Sequence, residues 1–157
     1  MTGGQGEGRH VGFDHVTFAV RDLDDAKGFF ALLGFEETAS TVVTGEVMSA
    51  YMGIPEWKAD HVTLTRTRSP SHQEVQLLRF HEPQLVPRRD ERDLARLGFN
   101  HVCFAVDDLE ATISILEANG VRLRSQVMDF HDRRLVLLVG PEDVTIELAE
   151  WTKERSA

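Results

Sequence analysis

Residues 13–23 read FDHVTFAVRDL, and residues 99–109 read FNHVCFAVDDL. The two stretches lie at a constant offset of 86 residues and are identical at eight of their eleven positions. Such a dense internal repeat predicts two copies of one supersecondary unit. In each copy, alternating Val and Phe predict a strand, and the Asp-Leu pair at the end predicts the start of a helix. Each unit therefore carries one histidine, His15 or His101, at an equivalent place.

Side chains alternate between the two faces of a strand, so each predicted strand has a histidine face and an apolar face. His15 shares its face with Thr17 and Ala19, and the second copy places a histidine, a cysteine and an alanine there. The opposite face carries Val and Phe in both copies, which suits packing against a helix. Small side chains beside a histidine are typical of a cavity lining.

The pattern downstream of each copy predicts one helix followed by further strands. In the first half we expect a helix capped by Asp22 and ended by Gly34, strands over 35–43, 60–67 and 74–80, and either a short helix or a strand over 45–52. In the second half we expect a helix capped at 107 or 108 and ended at 119–120, strands over 121–128, 133–139 and 144–149, and a turn over 140–143. This order predicts an α+β fold with mixed sheets, outward helices and a cavity between the non-helical faces.

The same pattern divides the chain into four segments. Residues 1–10 form a Gly-rich tail that resembles part of an expression tag, residues 11–81 form a first unit, residues 82–97 form a charged linker, and residues 98–151 form a second unit. Arg88, Arg89, Arg92 and Arg96 alternate with acids in the linker, so we interpret them as a solvated surface.

Composition and charge exclude several classes of function. A net charge of -9 over 157 residues argues against binding to nucleic acid or to anionic membranes. The single cysteine, Cys103, fits a reducing compartment, and no apolar run has membrane-spanning length. We expect a soluble cytoplasmic protein whose partner is a small molecule.

Four polar side chains recur on the predicted histidine faces. His15 and His101 lie on the first strand of each unit, and Gln76 and Glu147 lie on the last. Two imidazole nitrogens and two carbonyl-type oxygens suit a divalent ion such as zinc, manganese, cobalt, nickel or iron. A lone strand histidine is more often an interior hydrogen-bonding residue, but its repetition in both halves favours a metal site.

At these residues the sequence resembles the vicinal oxygen chelate superfamily, which includes glyoxalase I, methylmalonyl-CoA epimerase, extradiol dioxygenases and bleomycin resistance proteins. The resemblance is carried by both histidine stretches, by EVQLL at 74–78 and by VTIEL at 144–148, and it covers residues 12–150. It implies two βαβββ modules that form a cupped, barrel-like sheet around one metal, with the helices outside.

The resemblance also implies a ligand set and a chemistry. The ligands would be His15, Gln76, His101 and Glu147, a set that looks most like that of methylmalonyl-CoA epimerase. In these families the metal holds two adjacent substrate oxygens, an enolate or enediolate is stabilised, and a carboxylate moves the proton. Glu147 is one candidate for that carboxylate, and Glu46, near the position of the epimerase base, is the other. Glu46 could equally be a surface residue.

The sequence leaves three functions open. The first is an isomerase, epimerase or lyase that uses all four ligands. The second is a non-haem iron dioxygenase, for which His15, His101 and Glu147 would suffice. The third is a metal-free drug-binding protein, and the retained ligand set counts against it. No cluster of basic residues marks a site for glutathione or coenzyme A. We expect a homodimer, in which the modules pair within one chain or swap between chains.

Overall fold

A computed structural model of the chain describes residues 12–87 and 93–153. The tail expected at residues 1–10 and the linker residues Arg88, Arg89 and Arg92 lie outside the described residues. The elements are β1 Val16–Ala19, α1 Leu23–Leu32, β2 Glu36–Thr44, α2 Glu46–Met52, β3 Lys58–Thr65, β4 Glu74–Glu82, β5 Val102–Val106, α3 Leu109–Ala118, β6 Met128–Phe130, β7 Arg133–Val139, a short 3-10 turn Pro141–Asp143, and β8 Thr145–Trp151. Among these described helices, none is both long and apolar enough to cross a membrane.

The strands form two four-stranded mixed sheets with the same connectivity. The first has the order β1-β4-β3-β2 and the second has the order β5-β8-β7-β6. In each sheet the first strand pairs in parallel with the last, and the other pairs are antiparallel. The duplicated α+β fold predicted from the repeat is therefore confirmed.

The helix starts follow from local chemistry. Asp22 accepts a hydrogen bond of 3.0 Å from the Asp25 backbone nitrogen at the start of α1, and Asp108 does the same for Ala111 at 2.9 Å in α3. Such side-chain caps satisfy amides that have no partner inside the helix. The ambiguous segment 45–52 forms a helix, which ends at Gly53 in the left-handed conformation that glycine favours.

Two expectations about the strands were wrong. Residues 121–128 do not form a strand: only one isolated bridge, Leu123 to Leu138, lies there, and the paired strand begins at Met128. The reason is that the amides of Arg124 and Ser125 both donate to the Leu137 carbonyl, at 2.7 and 3.2 Å, which breaks a regular ladder. The two histidines also lie one residue before β1 and β5 rather than inside them.

One hydrophobic core joins the helix-side faces of both sheets. Phe30 of α1 is fully buried at its centre, and its ring lies 5.3 Å from that of Phe18 and 6.2 Å from that of Phe104 in the second sheet. The Phe18 ring is tilted against Phe30 and the Phe104 ring packs against it edge to face, and such aromatic contacts stabilise the packing of the two sheets. Because the apolar faces are used in this core, the opposite faces of the sheets remain for polar side chains.

Candidate metal-binding site

The strand registers place the candidate oxygen ligands at equivalent positions. In the first sheet Thr17 of β1 lies opposite Gln76 of β4, and in the second sheet Cys103 of β5 lies opposite Glu147 of β8. Thr17 and Cys103 are themselves equivalent in the repeat. Gln76 and Glu147 therefore occupy the same place in the two halves, next to the strand that follows each histidine.

Both histidines are oriented by the side chain that precedes them. His15 Nδ1 lies 2.5 Å from Asp14 Oδ1, and His101 Nδ1 lies 2.7 Å from Asn100 Oδ1. Asn100 also donates from Nδ2 to the Leu94 carbonyl at 2.8 Å, which turns its oxygen toward the ring. Because both partner atoms are acceptors, each Nδ1 carries the hydrogen in the neutral ring, and each Nε2 keeps a lone pair. An Nε2 lone pair supported in this way is the usual arrangement of a metal-binding histidine.

The Asp14 carboxyl responds to this contact. The hydrogen bond with His15 lowers the pKa of Asp14 from its ordinary value, and the nearby charge of His72 acts in the same direction. Asp14 is therefore an ionised acceptor at neutral pH.

Gln76 lies in a hydrogen-bonded group on the same face of the first sheet. Its Nε2 donates to Glu74 Oε1 at 2.7 Å, and its Oε1 lies 3.0 Å from His61 Nε2 and 3.4 Å from the Thr17 hydroxyl. His61 was not predicted as a site residue, because no motif surrounds it. The signal was the alternation of β3, in which Val62 is buried in the core while His61 points to the opposite face.

Glu147 is the corresponding group of the second sheet. Its carboxylate is only 17% exposed, and its Oε1 lies 3.7 Å from His101 Nε2. Desolvation and the neighbouring Glu147 carboxylate raise the pKa of the Cys103 thiol to about 12. Cys103 is therefore a neutral thiol at physiological pH, the unreactive form of a cysteine side chain.

By sheet, the candidate ligands fall into two pairs that we call half-sites: His15 and Gln76 in the first sheet, and His101 and Glu147 in the second. Among the described residues, a side-chain contact joins the second pair but not the first. Within residues 12–87 and 93–153, the group of three acidic, histidine or cysteine residues whose ligand atoms lie within 4.8 Å of one another is Asp14, His15 and Glu74. His101 and Glu147 do not belong to that group.

The donor chemistry of the two half-sites fits a divalent ion. The structure leaves an imidazole Nε2 lone pair in each half, a carboxylate in one half and an amide oxygen in the other, and such nitrogen and oxygen donors suit zinc, manganese, cobalt, nickel or iron. The 3.7 Å between His101 Nε2 and Glu147 Oε1 is close to the separation of two ligands that share one ion at about 2.0–2.2 Å.

Glu46, the other candidate proton carrier, and two further polar residues lie outside the half-sites. Glu46 is the exposed first residue of α2, and among the described residues no hydrogen bond or ion pair joins it to either half-site. His81 contacts Asp60 at 2.9 Å, and the described linker arginine, Arg96, pairs with Asp93 at 2.8 Å.

The site face of the first sheet also has an apolar end. Trp57 is almost fully buried there against Ala59 of β3 and Leu78 of β4, and its ring lies 5.7 Å from that of Phe80. Trp57 is thus core, whereas Tyr51 of α2 is largely exposed. The face offers polar groups at one end and an apolar surface at the other.

Comparisons with known proteins point to one family. Residues 14–138 match the family described as the Glyoxalase/Bleomycin resistance protein/Dioxygenase superfamily. Glyoxalase I from Saccharomyces cerevisiae is 32% identical over 57 residues, which cover 36% of this chain but only 18% of that enzyme. The crystal structure of a glyoxalase family protein from Bacillus cereus superposes with a TM-score of 0.84 at 25% identity, covering 94% of this chain and 99% of that chain. A fosfomycin resistance protein from Listeria monocytogenes, solved with manganese(II) and sulfate, shares the fold at 14% identity, with a TM-score of 0.58, covering 90% of this chain and 93% of that chain.

Proposed function

The chain belongs to the Glyoxalase/Bleomycin resistance protein/Dioxygenase superfamily, and on that premise we propose that it is a metal-dependent enzyme of the isomerase, epimerase or lyase type. Its substrate would be a small molecule with two neighbouring oxygens. The observation that carries the proposal is the equivalent placement of a histidine and an oxygen donor in both halves, with each histidine held so that Nε2 can bind a metal.

We propose that His15, Gln76, His101 and Glu147 hold the ion. A divalent ion bound there would polarise the two substrate oxygens and acidify the neighbouring C–H group. The described residues support different tasks for the two carboxylates considered as proton carriers. Glu147 lies on the site face with little exposure, whereas Glu46 lies at the exposed start of α2. We therefore assign proton transfer to a Glu147 oxygen rather than to Glu46.

Metal content tests this assignment directly. Wild-type protein purified without chelator from metal-replete medium should contain stoichiometric metal, and the variants Gln76→Ala and His101→Ala should lose most of it. Glu117→Ala is a control, because Glu117 is exposed on α3, which packs on the core side of the second sheet rather than on the face that carries Glu147. Absence of metal from the wild type would reject the metalloenzyme proposal and would favour a metal-free binding protein.

The reaction type has its own test. Incubation with methylmalonyl-CoA in deuterated water should give exchange at the carbon next to the carbonyl if that molecule is a substrate, and no exchange would reject it. Bound iron together with oxygen consumption on a catechol would instead assign the dioxygenase reaction.

We also propose that the protein is a homodimer. Phe13 and Phe99 are 71% and 56% exposed at equivalent positions two residues before the histidines, so apolar surface adjoins both half-sites. Mixed dimers show whether the ligands of one ion come from one chain or from two. His15→Ala and Glu147→Ala proteins, each expected not to bind metal, are unfolded together and refolded as mixed dimers. Recovery of metal binding places the ligands of one ion on two chains, and no recovery places them on one chain. A monomer in light scattering would reject the homodimer.

A further inference from the structure

Gln76 differs from the other proposed ligands because an amide can present either of two atoms. Only the oxygen binds a metal ion, and the NH₂ group of the same amide is a donor without a free lone pair. Glu147 at the equivalent place has two equivalent oxygens and needs no such selection. Something in the first half must therefore decide which end of the Gln76 amide faces outward.

Glu74 is placed to make that decision. It lies two residues before Gln76 on the same face of β4, its side chain is only 16% exposed, and its Oε1 is 2.7 Å from Gln76 Nε2. An ionised carboxylate has no hydrogen to donate, so the amide end that faces it must be the NH₂ group. A flipped amide would bring two acceptor oxygens together at this distance.

This orientation fixes the next contact. With Nε2 turned to Glu74, the Gln76 oxygen lies 3.0 Å from His61 Nε2. A carbonyl oxygen only accepts, so His61 Nε2 must carry the hydrogen, and in the neutral ring Nδ1 keeps the lone pair. The Glu74 carboxylate thus sets the orientation of the Gln76 amide, and that orientation sets the tautomer of His61 on the neighbouring strand.

We propose that Glu74 is a positioning residue that holds the Gln76 amide in its ligand orientation and thereby keeps His61 in the Nε2–H tautomer. The metal-affinity part of this inference rests on the proposed function, and the tautomer part does not. In the second half, the described residue equivalent to Glu74 is Thr145, which is fully buried and carries no carboxylate. The orienting carboxylate is present only where the ligand is an amide.

The tautomer is measured first, on metal-free protein at pH 8, through the nitrogen chemical shifts of the His61 ring. In the wild type we expect the Nε2–H form alone. In Glu74→Gln, whose new amide can pair with Gln76 in either orientation, we expect a mixture of the two tautomers. Glu117→Gln removes the same charge from an exposed position on α3 and should leave His61 unchanged. A wild-type mixture, or an unchanged tautomer in Glu74→Gln, would overturn the proposal.

Metal affinity is measured second, by competition with a chromophoric chelator. Glu74→Gln should weaken binding about 10–100-fold, the usual effect of losing an orienting partner of a ligand. In a Gln76→Glu background the same substitution should cost nothing or strengthen binding, because a carboxylate needs no orientation and two adjacent acidic side chains repel. An equal loss in both backgrounds would show that Glu74 acts through its charge alone and would refute the positioning role. If the wild type binds no metal, the proposed function fails, and the tautomer measurement still decides this inference.

Discussion

Gly140 offers a sharp test of how β8 is held. It lies between β7 and the short turn that leads into β8, and its amide donates to the Val144 carbonyl at 2.8 Å. A Cβ atom built on it would lie 2.5 Å from Cγ1 of Ile146 and 3.0 Å from the Val144 carbonyl oxygen. Its φ of -89° is open to any residue, so space rather than backbone conformation requires a glycine here.

The size of the effect follows from these distances. Carbon atoms pack best at about 3.5–4.0 Å, so Gly140→Ala forces a displacement of roughly 1 Å. Ile146 is fully buried in the core and cannot move into solvent, and the second close atom belongs to the backbone. Overpacking of this kind costs about 1–3 kcal/mol. Because Glu147 follows Ile146, we also expect weaker metal binding in this variant.

Gly28 supplies a control in which the same Gly→Ala substitution should raise the free energy of unfolding instead of lowering it. It lies on the exposed side of α1, and a Cβ built on it meets no atom within 4 Å. Gly28→Ala should therefore stabilise the protein by up to about 1 kcal/mol, the propensity difference between the two residues inside a helix.

Urea and thermal unfolding measure both variants. A loss of about 2 kcal/mol corresponds to a midpoint lower by roughly 4–8 °C in a chain of this size. Gly140→Ala should unfold at a lower urea concentration and a lower temperature than the wild type, with an unchanged urea m-value. Gly28→Ala should unfold at a higher urea concentration and a higher temperature. A Gly140→Ala protein as stable as the wild type would refute the close packing of the turn against β8.

Three further predictions concern the site residues. At pH 8 in metal-free protein, a thiolate should make up only ~10⁻⁴ of the Cys103 side chain, so mass spectrometry should record alkylation by iodoacetamide roughly a thousandfold slower than for an unperturbed thiol. Labelling at the ordinary rate would contradict the raised pKa. The lowered pKa of Asp14 means that its contact with His15 stabilises the fold above pH 3.8 and is lost as the pH falls through the lowered value. Urea midpoints of wild type and Asp14→Asn should therefore differ at pH 6 and converge at the lowest pH tolerated, and a constant difference would argue against the contact. Asn100→Ala should weaken metal binding about 10–100-fold, because the His101 ring loses the acceptor that orients it. Asn100→Asp still accepts from Nδ1 and should retain most of the metal affinity. Equal losses of affinity for both variants in chelator competition would show that ring orientation does not matter.

The repeat made much of the fold predictable. Identical residues at a fixed offset require identical backbone environments, so the two sheets and both helix caps, Asp22 and Asp108, followed from one stretch. The division of side chains between a core face and a polar face followed from period-2 alternation, and Gln76 and Glu147 indeed face Thr17 and Cys103 across equivalent strand pairs.

The position of His61 could not be read in the same way. Its contact with Gln76 depends on the register between β3 and β4, where Thr63 lies opposite Gln76 and His61 lies on the diagonal. That register is set by the length and shape of the connection over residues 66–73, which the hydrophobic pattern does not determine. The irregular path of residues 121–128 was missed for a related reason, since an apolar run does not reveal that two successive amides share the Leu137 carbonyl.

The two halves have diverged in a complementary way along the face that carries the site. The first half combines a neutral oxygen ligand, Gln76, with the acidic neighbours Asp14 and Glu74, which contact His15 and Gln76 without being part of the proposed ligand set. The second half reverses this arrangement, with the acidic ligand Glu147 and the neutral residues Asn100 and Thr145 at the equivalent positions. In the proposed site each half would therefore bring negative charge, the second through a carboxylate that would bind the ion directly and the first through carboxylates that lie one hydrogen bond behind a ligand. Because a carboxylate that binds the ion could also exchange a proton with a substrate, this asymmetry supports the proposal that the second half transfers the proton while the first orients neutral donors.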